Sequence, residues 1–256
     1  MNKIYAAVLL PVLACNAFAK EDKKLNAELE VGVIATSGNT ETQSYKSKLD
    51  VKHNLTSWHN HYMLEGLYKR DKVEVDDGTG SITDEKRTTA EKYFASAQGN
   101  YILNKKHAAL FVYGEYDKNR FSGFDYQYTI ALGYSNRLFT RDNSYLAYSV
   151  GPGMTSDKPE DIAGISQGSE ETFIVRMSGE YTYELSDNAK FKQTLSTNYA
   201  TKNDRNTKTK SVSSITAQLL SSLALRASYT IDYNSEAPTG RKHADTETSL
   251  TVVYNF

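Results

Sequence analysis

No apolar run in this chain approaches the roughly eighteen residues that a membrane helix requires, and the mean hydropathy is −0.57. A helical membrane protein is thereby excluded. A strand-built one is not, because a barrel needs apolar residues only at every second position of segments about ten residues long. Cysteine occurs once, at Cys15, so no disulfide can form within the chain. Charge of one sign is also missing: 30 basic residues stand against 31 acidic ones, which leaves no footprint for a nucleic-acid partner. No spacing of paired carboxylates and no metal-ligand pattern stands out. The five histidines give no nucleophile a positioned base, since His53, His59, His61 and His107 cluster around expected short turns and His243 falls in a loop. Neither catalysis nor a cofactor is expected.

Tyrosine is abundant, with 19 Tyr against 9 Phe and one Trp. The chain opens with Lys3, an apolar run from Ile4 to Ala14 and the small-x-small sequence Ala17-Phe18-Ala19. This is the pattern of a secretory signal cleaved after Ala19, with an apolar run too short to span a bilayer. Residues 1–19 are accordingly read as a signal peptide and residues 20–256 as one domain. Val12-Leu13-Ala14-Cys15 loosely resembles a lipid-attachment box, against which stand Leu13, where a small residue is usual, and the better Ala-Phe-Ala site beyond it.

Twelve segments alternate in polarity with the period of a half-buried strand: Leu25–Ala35, Tyr45–Leu55, Tyr62–Lys69, Lys92–Leu103, Ala108–Tyr116, Asp125–Ser135, Tyr145–Met154, Phe173–Glu184, Phe191–Tyr199, Thr209–Leu219, Leu223–Tyr233 and Ala244–Phe256. Long and short connections alternate. The longest polar stretch is Arg70–Thr89, inside which Asp77-Gly78 can turn a hairpin that extends strands three and four beyond the membrane. The segment Thr155–Glu170 reads as a loop and Pro152 as lying near a strand end. These features predict an all-β fold, a transmembrane up-and-down antiparallel β-barrel of about twelve strands with both termini periplasmic.

Charge tests that prediction. Acids (Glu28, Glu30, Asp50, Glu65, Glu115, Glu180, Asp232, Glu247) and bases (Lys46, Lys48, Lys52, Lys92, Arg176, Lys192, Arg226) share one face, and the apolar face is nearly free of charge away from strand ends. A Lys or Arg at the bilayer midplane costs about 2–4 kcal/mol, so a lipid face requires such exclusion. All mature tyrosines except Tyr113 and Tyr145 take the apolar face, as an interfacial girdle would. A soluble barrel or sandwich would alternate too, but twelve strands lined by these residues enclose too wide a core. The mixed charges can line a wet pore or pair across it and seal it. Their near balance argues against strong ion selectivity.

The chain ends on Tyr254 and Phe256, aromatic residues of the apolar face, with no polar tail. This resembles the C-terminal signal of bacterial outer-membrane barrels, which implies the barrel-assembly machinery and periplasmic chaperones as partners alongside outer-membrane lipid and lipopolysaccharide. The turn Thr36-Ser37-Gly38-Asn39-Thr40-Glu41-Thr42, the run Phe121-Ser122-Gly123-Phe124-Asp125 leading to Ala131-Leu132-Gly133-Tyr134, and Gly151-Pro152-Gly153 resemble, in order and spacing, the YdiY-like salt-induced outer membrane proteins, the domain of unknown function 481 family. The resemblance covers nearly the whole mature chain. It implies an outer-membrane barrel and a link to salt response, and it supplies no activity, ligand or catalytic residue. The open alternatives are a passive narrow pore or envelope-adaptation protein, and a plugged structural barrel whose loops bind lipopolysaccharide or an extracellular partner. The acidic middle of Asp71–Arg87 lacks the ordered oxygen spacing of a calcium loop and reads as solvated.

Overall fold

The computed structural model describes residues 25–36, 42–76, 82–103, 107–119, 122–161, 166–202, 205–237 and 242–256. The expected signal peptide, Cys15 and the turn at 104–106 lie outside them. Twelve antiparallel strands close into one barrel in sequence order. They are β1 (Leu25–Thr36), β2 (Thr42–Asn54), β3 (Trp58–Asp76), β4 (Ile82–Ile102), β5 (Ala109–Asn119), β6 (Phe124–Arg141), β7 (Ser144–Pro159), β8 (Glu170–Ser186), β9 (Ala189–Ala200), β10 (Lys208–Gln218), β11 (Leu223–Asn234) and β12 (Ala244–Asn255). The last strand pairs with the first, Glu28 opposite Asn255 and Val31 opposite Val252, so the wall has no free edge strand. β1 starts and β12 ends at the same rim, called the lower rim here; β3 and β4 project farthest at the other.

The alternation in the sequence sets the two faces. Outward-pointing Val112, Ile130, Leu132 and Leu250 are each more than half exposed, whereas inward-pointing Phe111, Thr129 and Thr251 are buried. The strands form one closed wall, so side chains decide what each face meets.

One expectation is sharpened and two are corrected. Most of Arg70–Thr89 is strand, the hairpin extension of the third and fourth strands: β3 runs to Asp76 and pairs with Ile82 of β4, with a register shift between Lys69 and Arg70, while Asp77-Gly78 lies outside the described residues. Polar side chains hide the extent of this extension, since the successive residues Glu85, Lys86 and Arg87 are all charged and all exposed. Thr155–Pro159 likewise continues β7. Pro152 therefore sits mid-strand, tolerated because the β6–β7 ladder is interrupted between the pairs Ala131–Gly153 and Tyr134–Val150. There the backbones crowd together: a Cβ on Gly133 would lie 2.2 Å from the Val150 carbonyl oxygen, and one on Gly151 would lie 2.0 Å from that of Leu132. Phe111 packs its ring over Gly133 from inside the barrel.

Candidate functional site

Among the described residues, the ionisable groups shielded from the outside concentrate in the barrel interior. By the alternation of each strand, all the charged residues expected to face the lumen do so: Glu28 and Glu30 on β1, Lys46, Lys48, Asp50 and Lys52 on β2, Glu65 on β3, Lys92 on β4, Glu115 on β5, Arg176 and Glu180 on β8, Lys192 on β9, Arg226 and Asp232 on β11, and Glu247 on β12. What the sequence left open is whether they meet. They meet across the barrel.

In the upper half, Lys208 of β10 donates to Asp117 of β5 at 2.8 Å and to Gln127 of β6 at 3.2 Å. Lys92 of β4 donates to Asp232 of β11 at 2.7 Å. Lys210 of β10 lies over the Phe94 ring of β4, 4.6 Å from its centre. Geometry then fixes the cross-section. Twelve strands spaced about 4.8 Å and tilted about 40° would make a round wall about 24 Å across. A lysine and an aspartate reach only about 13 Å between their Cα atoms when hydrogen-bonded. The wall is therefore flattened, with β4–β6 facing β8–β11.

Glu115 anchors the centre of this layer. Its carboxylate accepts from Tyr113 at 2.5 Å, Thr129 at 2.9 Å and Asn198 of β9 at 3.2 Å. Arg176 of β8 donates to Asn198 at 2.8 Å and places its guanidinium 3.6 Å from the centre of the Tyr113 ring. Solvent barely enters: Lys92 and Arg176 are 6 % exposed, Asp117 7 % and Asn198 4 %. Desolvated charges are costly unless paired and hydrogen-bonded, and this layer supplies both. It is not fully satisfied, since one carboxylate oxygen each of Asp117 and Asp232 is buried without a hydrogen bond.

The lower half is paired more locally. Arg226 of β11 reaches past β12 to Glu28 at 2.7 Å and also to Glu30, with Lys48 at 3.8 Å from Glu30. Lys192 and Tyr145 share Glu180, at 2.7 and 2.5 Å. His61 Nε2 lies 2.8 Å from Asp50 Oδ1, so this histidine lines the lumen and is not the surface group its place near a turn implied.

The sequence reading missed Asp117, expected in a loop, and Lys208, one residue before its expected strand. A signal was present in each case: Asp117 continues the inward series Tyr113, Glu115, and Lys208 precedes Lys210 by one strand period. In the projecting hairpin, Asp71 accepts from Thr89 at 2.7 Å and pairs with Lys69 at 2.9 Å, and Arg87 pairs with Glu85 at 2.8 Å. Among the described residues no group of three or more His, Cys, Asp or Glu could hold a metal ion.

The profile of a family described as Protein of unknown function, DUF481 matches residues 29–256. The chain is 25% identical over 239 residues to Uncharacterized protein YdiY of Escherichia coli (strain K12), covering 93% of this chain and 86% of that protein. Among solved structures it is similar to the translocator domain of autotransporter NalP from Neisseria meningitidis, with a TM-score of 0.47, 12% identity and coverage of 94% of this chain and 91% of that one. The NanC porin gives a TM-score of 0.47 at 10% identity, covering 90% of this chain and 97% of that one.

Proposed function

Because this chain belongs to the family Protein of unknown function, DUF481, and encloses paired charges within an apolar wall, we propose that it is a Gram-negative outer-membrane barrel sealed by its own side chains. The exposed Val, Ile, Leu and Tyr of the outer face match hydrocarbon flanked by interfacial aromatics. The observation that carries the sealed reading is the Lys208–Asp117 bond between nearly opposite strands, in a layer from which water is excluded. An open pore would keep such groups hydrated along its walls. The function is thus that of a non-conducting envelope barrel in its resting state, with lumen charges serving closure. Purified, refolded protein in planar lipid bilayers should carry no steady current at neutral pH; sustained ohmic current would overturn this reading in favour of the narrow pore.

The partner proposed for the projecting β3–β4 hairpin is lipopolysaccharide. Lys69, Arg70, Lys72, Lys86 and Arg87 lie on consecutive rungs beyond the girdle residues Tyr68 and Tyr93, where lipid phosphates would be met. Replacing Arg70, Lys86 and Arg87 together by Gln should weaken lipopolysaccharide binding several-fold; unchanged binding would remove this partner.

A further inference from the structure

The wall is not equally closed around its circumference. β1 pairs with β2 along all of Leu25–Thr36, and β12 pairs with β11 from Ala244 to Tyr254. Between β1 and β12 themselves the ladder holds only from Glu28–Asn255 to Val31–Val252, with one further bond from the Phe256 amide to the Ala27 carbonyl at 2.9 Å. Above Val31 the two strands run on to Thr36 and back from Ala244 with no register pair between them. Every other neighbouring pair of strands is matched along most of its shared length.

The register pairing stops at hydrocarbon depth. Val33 is level with Tyr45 of β2, and Thr248 is level with Tyr229 of β11, so the seam parts just beneath an aromatic girdle. Unpaired backbone groups in hydrocarbon cost several kcal/mol each, which makes such a gap expensive unless something is gained from it.

Gly32 sits at the point of divergence. A Cβ there would lie 3.0 Å from the Thr251 methyl and 3.2 Å from the Leu250 carbonyl oxygen. Any side chain there would press on β12, which would have to give by a few tenths of an ångström. Lys46, opposite Gly32 on β2, reaches past β1 to Glu247 at 2.5 Å and Ser249 at 3.2 Å, both on β12. One side chain thus spans the stretch where the ladder is missing. Below it the seam is fastened by Arg226, Glu28, Glu30 and Lys48, which tie β11, β1 and β2 together around β12. A fastened lower half, a bridged upper half and a glycine between them form a hinge and a catch.

Because the route along the barrel axis is blocked by the Lys208–Asp117 and Lys92–Asp232 layer, a passage through this seam leads sideways into the membrane. Its outer lips, Val33 and Leu250, just above the last pair Val31–Val252, are apolar and exposed. The inner lips are Lys46, Glu247 and Ser249. We infer that the upper β1–β12 seam is a lateral gate, held by the Lys46–Glu247 catch, for an amphiphile whose tail stays in hydrocarbon while its zwitterionic head enters the lumen. This rests on the membrane-barrel reading above.

The test uses spin labels at Val33→Cys and Leu250→Cys, the positions that an extended register would pair, in chain carrying Cys15→Ser and refolded in phosphatidylcholine vesicles. Distance distributions are read by pulsed electron resonance, with Val112→Cys and Leu132→Cys, a register pair of β5 and β6, as a control for wall integrity. Adding lysophosphatidylcholine should raise the long-distance population at the seam at least threefold and leave the control unchanged. Lys46→Met should do so without lysolipid; Glu247→Gln serves if the control broadens in Lys46→Met. A single paired-strand distance, unmoved by lysolipid in the otherwise native wall, overturns the gate. A conducting barrel with a moving seam would instead defeat the sealed-lumen reading alone.

Discussion

Lys208 and Asp117 lie 2.8 Å apart although the strands that carry them are five steps apart around the wall, so each side chain fastens one long side of a flattened barrel to the other. Removing one partner strands the other in a water-poor layer. Lys208→Met alone, and Asp117→Leu alone, should each cost about 3–5 kcal/mol of stability in denaturant titrations of folded barrel in detergent. The double variant should recover most of that loss, because Asp117 already keeps one oxygen unbonded and an apolar pair carries no such cost. Additive losses in the double variant would show that the two residues act independently.

Gly151 and Gly114 form a matched comparison. A side chain at Gly151 would collide with the Leu132 carbonyl oxygen, whereas one at Gly114 meets nothing within 4 Å. Gly151→Ala should prevent or severely reduce folding, by more than about 3 kcal/mol, since overpacking here displaces backbone. Gly114→Ala should stay within about 0.5 kcal/mol of the native protein. Heat-modifiable migration on gels measures both.

Leu132, on β6 between Tyr128 and Tyr134, is 62 % exposed on the outer wall, and Leu219, in the β10–β11 turn, is 57 % exposed. In water the two positions would be equivalent. In a bilayer Leu132→Arg should cost about 2–4 kcal/mol and Leu219→Arg about 0–1 kcal/mol, measured by urea titration in lipid vesicles. Equal costs would argue that the wall faces water.

Phe256 donates its amide to Ala27 across the closing seam and stacks edge-on against Tyr254, ring centres 4.7 Å apart. Deleting Phe256 should reduce membrane-inserted protein relative to total protein in fractionated cells. Undiminished insertion would remove the assembly role assigned to the terminal aromatic residue.

Alternation along the chain was enough to place twelve strands, to assign an apolar outer and a charged inner face, and to pair the first strand with the last. These properties depend on residues two positions apart, whose relation any extended backbone imposes. The same logic failed at Thr155–Pro159, where buried Thr155 and Asp157 and their neighbours Ser156 and Lys158 are all polar, so polarity no longer separates the two faces. The meeting of Lys208 with Asp117, of Lys92 with Asp232 and of Arg226 with Glu28 was not legible. Partners across a barrel are chosen by the stagger accumulated around the whole closed wall and by its flattening. His61 beside Asp50, the close approach of Gly133 to Gly151, and the short β1–β12 ladder with Lys46 spanning it arise in the same way. By itself the sequence determined a barrel with its charges inside; only the tertiary structure decided which of those charges meet across the lumen, because pairing at 3 Å is set by long-range geometry that no local period encodes.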